Sequence, residues 1–191
     1  MKYRPEDIFT PQGLLAEVEH NPNLDFLMNL FNIPRAFGVS GFGGNWNVGM
    51  HSVATAFLAL FWAKFNNYPE AKRDKLVTHC LLHDLHEAVT GDILPMFKSK
   101  SVKVQLDLIQ KNILESLNAP EDHTLSVDIK ILDLTAFLYE IKQVSPSILN
   151  SNKLKLANTI AEKQKLILLD YCKEKGFAKD KITHFLEVLG I

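Results

Sequence analysis

The chain has 191 residues, 47% hydrophobic and 23% charged, which excludes a mostly disordered or fibrous polymer and suits a single domain over 1–191 with one sizeable core. A formal net charge of −1 excludes the broad positive field that gathers duplex nucleic acid, so no such partner is expected. The start, MKYRPEDIFTPQG, has no apolar run behind its early charges, and no stretch approaches the roughly 18 apolar residues of a membrane span, so a cytoplasmic protein with no membrane partner is expected.

The apolar spacing predicts helices almost throughout and almost no strand. The first two candidates are PQGLLAEVEH and NLDFLMNLFN, the second with Leu24, Leu27, Met28 and Phe31 on one face and Asn21 or Asn23 as its cap. From Asn32 to Met50 five glycines and a proline break the pattern. A loop of that length with Phe37, Phe42 and Trp46 in it reads as pocket wall.

Helices resume at HSVATAFLALFWAKFN and run from Pro69 to Glu87. After GDILPMFKSK they continue through VKVQLDLIQKNILESLN, LSVDIKILDLTAFLYEIKQV, LKLANTIAEKQKLILLDYCKEK and KDKITHFLEVLG. There is no internal repeat. Cys80 and Cys172 sit in apolar helical patterns without a partner at zinc-finger or redox spacing, and read as buried free thiols in a reducing compartment.

Two of these stripes carry carboxylates. Leu76, Val77, Cys80 and Leu81 continue at helical spacing onto Asp84, and Ile129, Leu132, Ala136, Phe137 and Glu140 enclose Asp133. A buried unpaired carboxylate costs several kcal/mol, so each calls for a cation, a metal or a proton. His83 precedes Asp84, and His51 opens its helix directly after the glycine-rich loop. Two histidines with two aspartates make a metal set suited to zinc, cobalt, manganese or iron, with positions left for water and substrate. Glu87 shares the face of His83 and Asp84 on a continuing helix. Asp92 behind Gly91, with Lys98 and Lys100 further on, suits a loop folded over a phosphate.

His51, then His83-Asp84, then Asp133 resembles the H...HD...D signature of the HD superfamily. HDLHEAVTGD, from His83 to Asp92, is similar to the HDxxExxTGD pattern of its 5'-deoxynucleotidase branch and the phage-encoded dNTP (dATP) triphosphohydrolases related to it. Arg35 upstream of the first His, Lys98 after the post-TGD proline, and the Lys130-x-x-Asp133 spacing agree. The likeness spans about residues 35–140.

The resemblance implies an all-α bundle of the HD type that hydrolyses a phosphate ester of a nucleotide, with a divalent ion held by His51, His83, Asp84 and Asp133. It implies that Glu87 positions or activates water, that Arg35 and Lys98 meet phosphate oxygens, and that Asp92 lies near the reacting phosphate or sugar. Ala36 stands where bacterial deoxynucleotidases carry an aromatic residue, so Phe37 or Trp46 is expected to take its place against the base. The rival readings are a hydrolase of signalling nucleotides such as ppGpp or cyclic dinucleotides, and a regulatory HD domain without turnover. The apolar faces at LDFLMNLF and KLILLDYC leave a homo-oligomer open.

Overall fold

A computed structural model describes residues 10, 13, 16, 23–35, 46–94 and 97–191. The candidate helix PQGLLAEVEH falls largely outside them, as do most of the glycine-rich loop and Phe37. Among the described residues the fold is all-α, and the strand-like pairing they contain is one antiparallel bridge between Pro34 and Asn47. Helix α1 (Leu24–Met28) runs into a 3-10 turn (Asn29–Asn32). It is followed by α2 (Val48–Phe65), α3 (Glu70–Leu82), the single-turn α4 (Glu87–Thr90), α5 (Lys100–Ser116), α6 (Ser126–Val144), α7 (Ser151–Glu174) and α8 (Lys179–Val188).

Local chemistry sets several of the starts. Asn23, Asn47, Ser99 and Asn150 each accept a backbone N–H of the first turn of α1, α2, α5 and α7. The cap at Asn47, whose side chain takes the Met50 N–H at 2.8 Å, starts α2 at Val48, three residues before the expected start at His51. Gly49 is tolerated there because the Phe31 ring lies over it; a Cβ would meet that ring at 2.6 Å.

The main core joins α2, α3, α6, α7 and α8 through Trp62, Leu76, Ile131, Leu132, Leu168 and Phe185, with Trp62 set edge-on to Phe185 at 4.9 Å. Burial of each such side chain contributes about 1.5–3 kcal/mol. Cys80 and Cys172 are free thiols within it, as expected. A polar pin crosses the same core. Asp128 at the start of α6 accepts from the indole N–H of Trp62 at 2.8 Å and the Tyr68 hydroxyl at 2.9 Å, and pairs with Lys72 at 3.2 Å. That fixes α2 against α6, the helices that carry His51 and Asp133. A second cluster, with Leu30, Val48, Leu85, Ile109 and Ile113, seats α4 and the start of α2 on α5.

Helix α2 departs from one expectation. Its 18 residues have a mean hydropathy of 1.3 and are long and apolar enough to cross a membrane by composition, although 56% of the helix is buried inside the protein. The reason is that it is apolar on both faces, with Phe57, Leu60 and Phe61 on the exposed side. Leu24 and Met28 of α1, and Leu166 and Ile167 of α7, are likewise exposed.

Candidate metal centre

The pattern predicts one helix from Pro69 through Glu87, yet α3 ends at Leu82 and His83 to His86 form a tight turn before α4. The cause is a side chain from α5. In an unbroken helix the His86 N–H would donate to the Leu82 carbonyl. Gln110 comes between them, donating from Nε2 to Leu82 O at 2.7 Å and accepting the His86 N–H on Oε1 at 2.9 Å. A side chain inserted into the ladder is one of the few causes of a sharp kink. The bonds that remain, Leu85 to Leu82 and Glu87 to Asp84, have the shorter 3-10 spacing.

This break serves the site. Neighbours on a straight helix point about 100° apart, whereas His83 Nε2 lies 3.1 Å from Asp84 Oδ2. Helical periodicity thus names the right inward carboxylate, but the turn is what aims it. Replacing Gln110 by Leu removes both bonds and lets Leu82 and His86 pair directly. The expected result is a folded protein with metal affinity down about 10–100-fold, the range for lost supporting contacts. Metal titration beside circular dichroism checks it.

Four predicted residues converge here from three elements. His51 Nε2, in the first turns of α2, is 3.2 Å from Asp133 Oδ1 and 3.8 Å from Asp84 Oδ2, and His83 Nε2 is 3.9 Å from Asp133 Oδ1. One ligand atom each from His51, His83 and Asp133 lies within 4.8 Å of the others. The set fits a divalent ion on two grounds. His83 Nε2 is buried and makes no hydrogen bond, although Asp84 is beside it. Ligands about 2.0–2.2 Å from one ion and at right angles stand about 3 Å apart, so the two atoms lie as co-ligands rather than as donor and acceptor. On the far side of the ring, His83 Nδ1 lies 2.7 Å from the Cys80 carbonyl; a proton donated there leaves Nε2 as the free ligand atom.

The charges treat the two histidines differently, and at His83 a metal ion takes the place of the proton that the carboxylates otherwise favour. Burial, and after it Arg35, push the His51 imidazole below its ordinary value, which favours the neutral ligand form. Burial opposes a charged His83, but Asp84 and Asp133 lift it to about 9. Burial also opposes ionised Asp84, which His83, His51 and Arg35 nevertheless hold well below the usual carboxylate range. Asp133 is held down against burial by His51 and by Lys130, whose Nζ is 2.8 Å from Asp133 Oδ2.

Beside this cluster lies a cavity of about 260 Å³. Arg35 enters it from the segment before the glycine-rich loop: its backbone N–H bonds to Trp46 O at 3.2 Å, and the Pro34–Asn47 bridge ties that segment to the start of α2. Arg35 Nη1 is 3.8 Å from Asp84 and 3.9 Å from Asp92, and its Nε is 3.5 Å from Glu140. Lys98 lines the cavity with its Nζ 3.8 Å from Glu87 Oε1. Glu87 is buried, and its Oε2 has no hydrogen-bond partner. Burial, with Asp84 and Asp92 near, pushes Glu87 up to about 9. Burial likewise pushes Glu140 up to about 7 against the pull of Arg35. Lys100, by contrast, is exposed.

The aromatic wall differs from the expectation. Trp46 does not line the cavity; it packs with Ile141, Val144 and Ile148, edge-on to Tyr139 at 6.1 Å. Phe37 lies outside the described residues. Among the described residues, the aromatic one that lines the cavity is Phe137, joined by Ile93, Leu134 and Gln164. Phe137 shares the α6 stripe with Asp133 and reads as core from its spacing. Gln164 comes from α7, beyond the motif region. A second cavity, about 310 Å³, shares Lys130 and Asp133 with the first, but it lacks Arg35, Lys98 and the carboxylates Glu87 and Asp92.

No curated protein and no solved structure matches the chain. The family comparison does: residues 38–143, more than half of the 191, match the HD domain. That span holds His51, His83, Asp84 and Asp133, and HD domains are typically metal-dependent hydrolases. The chain therefore belongs to the HD domain family, with the all-α fold and the divalent-metal site that membership implies.

Proposed function

We propose that the protein hydrolyses a phosphate ester of a deoxyribonucleotide, as a 5'-nucleotidase acting on dNMPs or a triphosphohydrolase acting on dNTPs. The observation that carries this is the cavity in which Asp84 and Asp133, the carboxylates of the His–Asp cluster, meet Arg35 and Lys98. Its charged lining consists of Arg35, Lys98 and Lys130 against Asp84, Glu87, Asp92 and Asp133, three cations to four carboxylates. With Glu87 in the neutral form that burial favours, three cations face three carboxylates, and a divalent ion turns the balance positive. The metal thus favours phosphate.

A divalent ion supplies polarisation of a phosphoryl oxygen and a lowered pKa for water. His51, His83, Asp84 and Asp133 hold it. Arg35 and Lys98 neutralise the remaining phosphoryl oxygens, Arg35 with a planar fork suited to two of them. Asp92 braces that guanidinium from the side. Glu87, with Oε2 unengaged and Oε1 facing Lys98, gives its proton to the leaving ester oxygen and regains one from the attacking water. Phe137 offers a face to the base, and Gln164 a carboxamide to its edge.

Phosphate, pyrophosphate and triphosphate release from a panel of dNMPs, dNTPs, ppGpp and cyclic dinucleotides tests the reading. Release of one phosphate identifies a nucleotidase, and release of triphosphate identifies the other version. Turnover confined to ppGpp or a cyclic dinucleotide would overturn the deoxyribonucleotide assignment. With the preferred substrate, Phe137→Ala is expected to raise KM about 10-fold or more, given roughly 1–3 kcal/mol for stacking a base on an aromatic ring, while kcat changes little. An unchanged KM would remove Phe137 from the base site.

A further inference from the structure

Glu140 lies on α6 two turns after Asp133. It is 0% exposed, and neither carboxylate oxygen has a hydrogen-bond partner. A carboxylate buried in this way is costly unless charges beside it compensate. Two groups with different tasks face its Oε2: Arg35 Nε at 3.5 Å and His51 Nδ1 at 3.9 Å. Those two nitrogens are themselves buried and without a hydrogen bond. The three side chains come from the segment before the loop, from α2 and from α6, so nothing local in the chain brings them together.

The two histidines are also supported differently. His83 turns Nδ1 to a backbone carbonyl, which is neutral and fixed. His51 turns Nδ1 to a carboxylate that it shares with the arginine of the phosphate pocket. A histidine ligand is oriented, and its basicity set, by whatever receives its other ring N–H. An arginine is oriented by the partner of its Nε, which leaves the Nη atoms to meet the ligand.

We propose that Glu140 is a positioning residue that couples the metal site to the phosphate site, holding His51 Nδ1–H so that Nε2 faces the ion and holding Arg35 Nε so that Nη1 faces the phosphate. The inference rests on the reading of the His–Asp cluster as the metal site and of Arg35 as a phosphate contact. Its consequence is reciprocal: because one carboxylate holds both side chains, a change at either partner is felt at the other, so metal and phosphate affinities respond together.

The test uses the full chain stripped of metal and titrated with Co²⁺, then with inorganic phosphate at saturating Co²⁺, in wild type, Glu140→Gln and Glu140→Asp. Glu140→Gln keeps the shape and removes the charge. It is expected to weaken Co²⁺ binding about 10–100-fold, to shift the visible Co²⁺ absorption, and to weaken phosphate binding as well, with Glu140→Asp recovering part of both. Loss of phosphate affinity alone, of metal affinity alone, or of neither in a folded Glu140→Gln protein would overturn the coupling.

If Glu140→Gln does not fold, the zinc-loaded wild type decides. The His51 Nδ1–H proton resonance, assigned by its loss in His51→Gln, is expected to move when phosphate binds. A resonance indifferent to phosphate would overturn the proposal. Failure of the wild type to bind Co²⁺ at all would instead remove the metal reading beneath it.

Discussion

Replacing Asp84 by alanine is expected to reduce nucleotide hydrolysis to the level of the metal-free protein and to abolish stabilisation by added metal. Asp84 Oδ2 stands 3.1 Å from His83 Nε2, 3.8 Å from His51 Nε2 and 3.8 Å from Arg35 Nη1, so one carboxylate faces both histidines and Arg35. An ion that binds only the folded state at a hundredfold excess over its Kd stabilises by about 2.7 kcal/mol. For a chain of this size that raises Tm by roughly 5–10 °C. The wild type should show that rise with Mn²⁺ or Zn²⁺, and Asp84→Ala should not. The variant should still fold, because Arg35 retains Asp92 and Glu140 as partners. A metal-dependent rise in Tm that survives in Asp84→Ala would remove this residue from the ligand set.

Glu87→Gln is expected to lower kcat by about 10²–10⁴, the usual contribution of a positioned acid or base, with metal affinity and KM little changed. The isosteric amide keeps contact with Lys98 but cannot carry a proton. The same variant has a pH signature in the metal-free protein. Burial raises Glu87 from 4.5 to about 9, so its contribution to stability is fully present below about pH 4.5 and is lost as pH rises towards 9. Metal-free Glu87→Gln should therefore lose less Tm than wild type across that window in chelator. Equal slopes would show that Glu87 is not held in its neutral form. Full turnover in the variant would place the proton transfer elsewhere.

The sequence carries the metal cluster far better than it carries what supports the cluster. His83-Asp84 is a local doublet, and Asp133 interrupts a clear apolar stripe, so each announces itself within a short stretch of chain. Gln110 does not. In its own helix it is one polar residue among several, and its effect, the break after Leu82, falls on a different element. Glu140 is visible as an inward acid on the α6 stripe, but the partners that give it meaning, Arg35 and His51, become neighbours only in three dimensions.

Two local misreadings have local causes. The start of α2 is legible in Asn47 as a cap, but Gly49 reads as a breaker, and only the Phe31 ring packed on it explains its place inside the helix. Trp46 looks like pocket wall because it sits in the glycine-rich loop, whereas the cluster of Ile141, Val144 and Ile148 takes it into the core. Phe137 packs against the same cluster, so its stripe position reads as core, yet it also lines the cavity. No periodicity in α7 marks Gln164 as a cavity residue, because the signal lies in how α7 packs on α6.

If His51, His83, Asp84 and Asp133 hold a divalent ion on which nucleotide hydrolysis depends, activity must follow the metal. The most direct measurement follows phosphate-species release from the deoxyribonucleotide panel by the wild-type protein as purified, after chelation, and after Mn²⁺, Co²⁺ or Zn²⁺ is returned, with bound metal counted on the same samples. Release is expected to disappear with the metal and to return with it. Hydrolysis that persists in protein shown to be metal-free, or bound metal with no hydrolysis of any nucleotide offered, would show that these residues do not hold a catalytic ion for nucleotides.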